Sequence, residues 1–303
     1  MLVAKTNGRR SGYLRGMVQA KSESEIANAS RGAGERRETV FCRRRGINKM
    51  DKPNSILTLF MQVSKSQVKY IQSLSHKKFR DDAGVFVAEG PKIVGELLQL
   101  SGMRCRQVYA LKEWIASAGL SAVPVQEIGE ANLERLSALA TPNQVVAVFE
   151  KPVFPAADFN KGITLVLDGI QDSGNLGTLV RIADWFGLSA VLCSPDSADV
   201  FNAKAIQSTM GSIGRMPVVY ADPAAVVSGY SGLPVFAAVL GGKDLYTMGR
   251  VDRGFIVIGN ESKGIRPGLL EVATERVTIP GAGRAESLNA AVAGGIILSH
   301  LVK

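Results

Sequence analysis

Cysteine is scarce in this 303-residue chain, present only at Cys42, Cys105 and Cys193. An odd number without paired spacing excludes a disulfide framework and a thiolate zinc cluster, and points to a reducing compartment. Histidine is scarcer still, with His76 and His300 alone, which excludes a His-rich metal centre; no metal is expected. No apolar run reaches the length that crosses a bilayer, so no membrane insertion is expected. The dinucleotide fingerprint is also missing. Its nearest approach, Gly281-Ala282-Gly283-Arg284-Ala285-Glu286, puts Glu where a third small residue belongs and lies near the end of the chain. Gly174 and Gly177, after an earlier apolar run, stand too close together for it, and no P-loop lysine follows. A Rossmann-type oxidoreductase is thereby disfavoured. Asn260-Glu261-Ser262 spells a glycosylation acceptor, but without a secretory apolar region it is read as part of a core loop.

What is present fits a globular protein, with 46% hydrophobic and 21% charged residues and a length suited to two domains and a tail. The formal charge of +9 is unevenly spread: Lys and Arg outnumber Asp and Glu 13 to 5 over residues 1–52 but only 23 to 22 beyond. Residues 1–62 read as a basic extension, disordered or loosely helical, with Arg43-Arg44-Arg45 as its densest run. It fits an RNA-binding arm, an organelle transit peptide, or sequence upstream of a start at Met50 or Met61. Glu23, Glu25, Glu35 and Glu38 count against a transit peptide, and a dispensable or misassigned extension is favoured. The body is nearly neutral, so overall basicity says little about its partners.

Residues 63–150 read as a small α/β domain. Val68, Ile71 and Leu74 form a helical face, Gly84 to Gly90 a strand ending in a turn, and Pro91 to Leu100 a helix burying Ile93, Val94, Leu97 and Leu98. Apolar runs at 107–110, 123–127 and 145–149 alternate with helical stretches at 113–118 and 131–139. Pro152 and Pro155 mark residues 151–161 as a linker. Over residues 162–303, apolar runs at 163–167, 190–193, 217–220, 235–240, 255–258 and 276–279 alternate with helical segments at 176–186 and 202–210, and an Ala-rich helix follows from about Ser287. This pattern argues for a mostly parallel sheet covered on both faces.

Three blocks in this second region carry chemistry. The first runs from Asp168 through Asn175 to Arg181, the second is Gly259-Asn260-Glu261, and the third joins Ile279-Pro280 through Gly283 to Ser287-Leu288-Asn289. Taken singly, Gly259 and Gly283 fit plain turns, Glu261 a solvated acid, Ser287 a helix N-cap, and Arg181 a salt bridge to Asp184 or Glu261. Strict helical period puts Asn175 and Arg181 on different faces, since six residues turn through about 600°, unless Asn175 sits in a loop. In their order, the blocks resemble the SpoU/TrmH family of RNA ribose 2'-O-methyltransferases within the SPOUT superfamily. The likeness covers about Ile163 to the C-terminus.

That resemblance implies a C-terminal α/β domain with a trefoil knot, and S-adenosylmethionine bound by Leu240, Gly241, Gly242, Ile258, Gly259, Asn260, Ile279, Pro280 and Leu288. It places Asn175, Arg181, Glu261, Ser287 and Asn289 in the catalytic set. Arg181 would clamp a phosphate and stabilise charge, since a side chain with a pKa above roughly 12 is a poor base. The others would orient it, the cofactor and the nucleotide. Gly281 departs from the methionine common after Ile-Pro and would open the cofactor loop. The smaller domain resembles the L30e-like substrate-binding domain that precedes many such enzymes, with Lys77, Lys78 and Arg80 on one exposed turn beside Phe79 meeting RNA; a solvated charge cluster is the plain alternative. The resemblance implies a homodimer, and the apolar surface of the closing helix (Leu288, Ala291, Val292, Ile296, Ile297, Leu298) agrees. The expected substrate is a 23S-type rRNA, with tRNA as the alternative, and the expected location is the cytoplasm, or an organelle if residues 1–62 are a transit peptide. A catalytically silent RNA-binding assembly factor is the competing reading.

Overall fold

The computed structural model describes residues 62–119 and 123–302. Cys42, Arg43 to Arg45 and all but the last residue of the expected basic extension lie outside the described residues. Ser64 and Gln67 cap α1 (Lys65–Ser73) reciprocally, and the helix turns Val68 and Ile71 inward. Next comes α2 (Lys77–Ala83), stopped by Gly84 in the left-handed region at φ 65. The chain then enters β1 (Val85–Glu89), and Pro91, whose missing N–H is not needed in a first turn, opens α3 (Pro91–Gln99). On α3, Ile93, Val94 and Leu97 are buried while Leu98 is only half-buried. β2 (Cys105–Ala110), α4 (Lys112–Ala118), β3 (Val125–Glu127), α5 (Glu130–Leu136) and β4 (Val145–Glu150) complete a four-stranded sheet in the order β1-β4-β2-β3.

A second sheet has six strands, all parallel: β5 (Ile163–Asp168), β6 (Ala190–Cys193), β7 (Val218–Tyr220), β8 (Val235–Asp244), β9 (Gly254–Gly259) and β10 (Glu275–Thr278), ordered β10-β8-β9-β5-β6-β7. Every residue of β5 is buried, as expected of a central strand covered on both faces. Its helices are α6 (Ser173–Trp185), α7 (Ala203–Thr209), α8 (Pro223–Ser228), α9 (Pro267–Val272) and α10 (Ala290–Leu301). The α/β class with a parallel sheet is therefore as the sequence led us to expect. Two details are corrected. Helices α8 and α9 escaped the sequence reading, and the closing helix begins at Ala290 with Asn289 as its cap, so Ser287 lies outside it, in an exposed stretch.

The two sheets belong to one compact unit with a shared core that runs from Phe86, Val94 and Leu97 to Leu179, Ile206 and Ile213. Polar contacts fasten the junction. The Arg80 guanidinium donates to the carbonyls of Leu74 and Ser75 at 2.7 Å each and pairs with Asp199 at 2.6 Å. Gln207 Nε2 donates to the Glu89 carbonyl at 2.9 Å, and Arg215 bridges Glu96 and Asp184, each at 2.7 Å. Phe201 stacks obliquely on Phe86, and Lys151 Nζ sits 4.7 Å from the Phe201 ring centre. Arg80 was expected on an exposed turn; only 3% of it is exposed, because a helix turns it toward the junction. It therefore has no free face for RNA.

Removing one partner of a buried ion pair strands the other. Asp199→Ala should lower the unfolding free energy by about 3 kcal/mol, read from the urea midpoint. A loss well under 1 kcal/mol would mean that water solvates the freed guanidinium.

Candidate active site

In an open parallel sheet, ligands gather at the carboxyl ends of the strands. Here the neighbours β10, β8, β9 and β5 end side by side. β8 pairs with β10 through Ala237 opposite Arg276 and then Lys243 opposite Val277, so residues 238–242 leave the ladder as a bulge carrying Leu240, Gly241 and Gly242. Leu240 is 78% exposed, and Gly241 adopts φ 74. A side chain on Gly242 would lie 2.7 Å from the Arg276 backbone, and one on Gly259 would lie 2.4 Å from that of Gly264. Both positions need glycine because backbones meet there. Ile258 packs its side chain in the core and offers only its main chain to a ligand. Asn260 spends much of its amide on the loop: Nδ2 donates to the Gly169 carbonyl at 2.7 Å, and Oδ1 accepts from the amides of Ser262 and Lys263. Ile279 is half-buried, while Pro280 and Leu288 are exposed beyond β10.

Three candidate catalytic residues meet in one hydrogen-bonded chain. Asp172 caps α6, accepting from the Asn175 amide at 2.8 Å, so Asn175 belongs to the first helical turn and is not held in a loop. Lys204, 2.5 Å away, and that amide hold the Asp172 carboxyl below its ordinary range, which keeps the cap ionised. Asn289 caps α10 by accepting from the amides of Ala291 and Val292, which leaves its Nδ2 free to donate to Asn175 Oδ1 at 2.9 Å. Asn175 Nδ2 in turn donates to Glu261 Oε1 at 2.7 Å. Each amide is thereby oriented by its neighbour.

Arg181 and Ser287 do not join this chain. Arg181 is exposed on α6 and makes no hydrogen bond or ion pair with any described residue. Both partners considered for it are taken, Asp184 by Arg215 and Glu261 by Asn175. Among the described residues it is an uncommitted guanidinium. Between α6 and α10 lies an open groove of about 480 Å³, lined by Asn175, Thr178, Ile182, Asn289, Val292 and Ile296 among others.

One pair escaped the sequence reading. Asp168 closes β5 with its side chain fully buried, and its carboxylate accepts from the Arg266 amide at 2.7 Å, from Nε at 2.5 Å and from Nη2. The residues are far apart in the chain and follow no known spacing, so only the coordinates reveal them. The described thiols offer no nucleophile: burial pushes Cys105 up to about 11 and raises Cys193 further. On the smaller sheet's flank, Lys77 is exposed and pairs with Asp81 at 2.5 Å, while Lys78 is exposed beside the half-exposed Phe79. Phe79 meets the His76 ring edge-on.

Residues 162–299 match the SpoU rRNA Methylase family, and residues 65–147 match the MRM3-like substrate binding domain. The chain is 32% identical over 238 residues to the 23S rRNA (guanosine(2553)-2'-O)-methyltransferase RlmP of Bacillus subtilis, covering 78% of this chain and 95% of that protein. Two solved structures are similar throughout the same region. A putative RNA methyltransferase of the TrmH family from Porphyromonas gingivalis superimposes with a TM-score of 0.71 at 35% identity, over 79% of this chain and 98% of that one. The AdoMet-bound rRNA methyltransferase from Sinorhizobium meliloti gives 0.69 at 30% identity, over 79% and 95%.

Proposed function

The chain belongs to the SpoU family of RNA methylases, and from that membership we propose that it transfers the methyl group of S-adenosylmethionine to a ribose 2'-hydroxyl of structured RNA, a 23S-type rRNA in preference to tRNA. The observation that carries this reading is the hydrogen-bonded chain Asn289–Asn175–Glu261; Arg181 lies on the same helix α6, six residues and about 600° of rotation from Asn175, on another face of it. A silent RNA-binding factor would have no use for three polar side chains drawn from distant parts of the chain into one alignment.

S-adenosylmethionine supplies a methyl group on a positively charged sulfur. The loops after β8, β9 and β10 suit it, because Gly242 and Gly259 bring bare backbones together there and Leu240 and Leu288 offer exposed apolar surface. Leu240, Gly241, Gly242, the main chain of Ile258 to Asn260, and Ile279, Pro280 and Leu288 would hold it. Methyl transfer needs the acceptor oxygen in line with the methyl and sulfur, so positioning supplies much of the acceleration. Asn175 and Asn289, each fixed by a helix cap and by each other, hold Glu261 in one orientation. Arg181 takes the RNA phosphate beside the target ribose and stabilises the oxygen as its proton passes to solvent water; the O–C bond forms as the C–S bond breaks, and neutral S-adenosylhomocysteine would leave. Ser287, exposed on the loop before α10, reaches cofactor or nucleotide only in the loaded complex. Residues 63–150 bind the RNA, with Lys77 and Lys78 on phosphates and Phe79 available to stack on a base; residues 162–303 carry the chemistry, and 151–161 join the two.

The chain works as a homodimer through α6 and α10. Val292, 51% exposed, lines the groove with Ile182 and Ile296, and Trp185, 83% exposed, follows Ile182 by three residues on α6; exposed large apolar side chains mark an interaction surface. β10 laid beside β8, with α10 packed back on α6, supports reading the C-terminal segment as the trefoil knot of these methylases. Bacterial relatives support a cytoplasmic location.

The test is direct. Calorimetry should detect S-adenosylmethionine binding, and the protein should transfer labelled methyl to rRNA lacking the modification at one ribose, mapped by mass spectrometry. RNA binding without cofactor binding would establish the silent factor instead.

A further inference from the structure

We infer that Arg266 is a positioning residue of the methyl-transfer site, fastening the loop that carries Glu261 to the buried end of β5. This rests on the methyltransferase reading above and names a residue that acts through Glu261 and Asn175 without touching substrate.

Glu261 sits in a tight turn between β9 and α9. Its outgoing limb is tied down by Asn260, whose side chain reaches the Gly169 carbonyl and whose backbone exchanges two hydrogen bonds with Gly264, at 3.1 and 2.9 Å. The returning limb is held to Asn260 through Ser262, Lys263 and Gly264, and Ile265 is buried; Arg266 then fastens it to the ends of the neighbouring strands. Its amide donates to one oxygen of Asp168 at 2.7 Å, its Nε to the other at 2.5 Å, and its Nη2 also reaches Asp196 at 2.9 Å. One residue thus joins the ends of β5 and β6 to the limb leaving Glu261. Asp168 is fully buried, and Arg266 is the cation that pairs with it among the described residues. A buried carboxylate is tolerated only when paired and hydrogen-bonded, so the contact is a fixed anchor and not a loose surface bridge. The planar guanidinium is what permits it, since one fork serves two carboxylates while the backbone amide of the same residue takes the second oxygen of Asp168. An ammonium could meet Asp168 but could not bridge to Asp196 in the same pose.

The anchor bears on catalysis through a short path. Asn175 reaches Glu261 at 2.7 Å, and Asn289 reaches Asn175. If the returning limb drifts, Glu261 leaves Asn175, and the amide that Asn289 has oriented loses its acceptor. Arg266 therefore sets the alignment without belonging to it.

The experiment is a double-substitution cycle on the full chain, read by single-turnover methyl transfer at saturating cofactor and RNA, together with amide exchange on the cofactor-free protein. Arg266→Ala should slow transfer about thirtyfold, the scale of a misplaced catalytic group. In an Glu261→Ala background the same change should cost less than about twofold, because residues acting as one unit are not additive. Arg266→Lys should recover part of the rate. In cofactor-free protein, the Asn260 and Gly264 amides should exchange at least about tenfold faster in Arg266→Ala while the β5 amides keep their protection. Additive losses in the cycle, or unchanged exchange in the loop, would overturn the proposal. Should Arg266→Ala not fold, Arg266→Lys carries the same two readouts, with a smaller loss of the same sign expected. A wild-type protein without methyl transfer would defeat the function proposed above, while the exchange measurement would still decide whether Arg266 anchors the loop.

Discussion

Arg181→Ala should reduce methyl transfer at least about a hundredfold, the loss typical of one charge-stabilising donor, while S-adenosylmethionine affinity stays within about twofold of wild type. The reason lies in what Arg181 does not touch. An exposed arginine on a helix commonly settles on the nearest carboxylate, and Asp184 is three residues away, yet Arg215 holds Asp184 through two nitrogens. Glu261 is likewise occupied by Asn175. The guanidinium remains available for an anion brought by the substrate, and RNA supplies one at every nucleotide. Since no cofactor loop depends on Arg181, its removal should leave cofactor binding alone. Arg181→Lys should rescue only in part, because an ammonium keeps the charge but not the bidentate fork. Near-wild-type single-turnover rates in Arg181→Ala at saturating RNA would remove Arg181 from the mechanism.

How far the sequence could be read depended on the length over which each signal was repeated. β5 and α6 are long and bounded by capping or turn residues, so period and apolar content located them to within a few positions. Helices α8 and α9 span six residues each, too short for a helical period to show, and are recognisable only by the proline that opens them. The site divides in the same way. The order of three short blocks pointed to Asn175, Glu261 and Asn289, which the fold does bring together. Ser287 and Asn289 are both plausible caps two residues apart, and only the geometry shows that Asn289 caps α10. Arg80 differs from the expectation because three basic residues around Phe79 read as one exposed patch, whereas the helix sets Arg80 about 200° round from Lys78 and directs it into the junction with Asp199. Arg266 and Asp168 were invisible for a different reason: a pairing between a strand end and a helix cap far apart in the chain leaves no trace in local pattern.

The strongest test of assembly is a charge placed on the α6–α10 seam. Val292 is half-exposed, so Val292→Arg should leave the fold of one subunit intact, with a melting temperature close to wild type. In a dimer that closes over the groove, the same guanidinium would be buried without a partner. A stable pair needs about 1,000 Å² of well-packed interface, and Ile182, Val292 and Ile296, which line the groove, would supply the apolar centre of it. An unpaired charge there, present twice by symmetry, costs several kcal/mol, and every 1.4 kcal/mol weakens association about tenfold. Light scattering at micromolar concentration should therefore find a dimer for the wild type and a monomer for Val292→Arg. Methyl transfer should fall with it, by about a hundredfold, because the groove that the partner would cover is lined by Asn175 and Asn289 themselves. The loss should not be recovered by more cofactor or more RNA, since what is missing is the second wall of the site. A monomeric wild type with full activity, or a monomeric Val292→Arg that transfers methyl at the wild-type rate, would show that each subunit carries a complete site on its own.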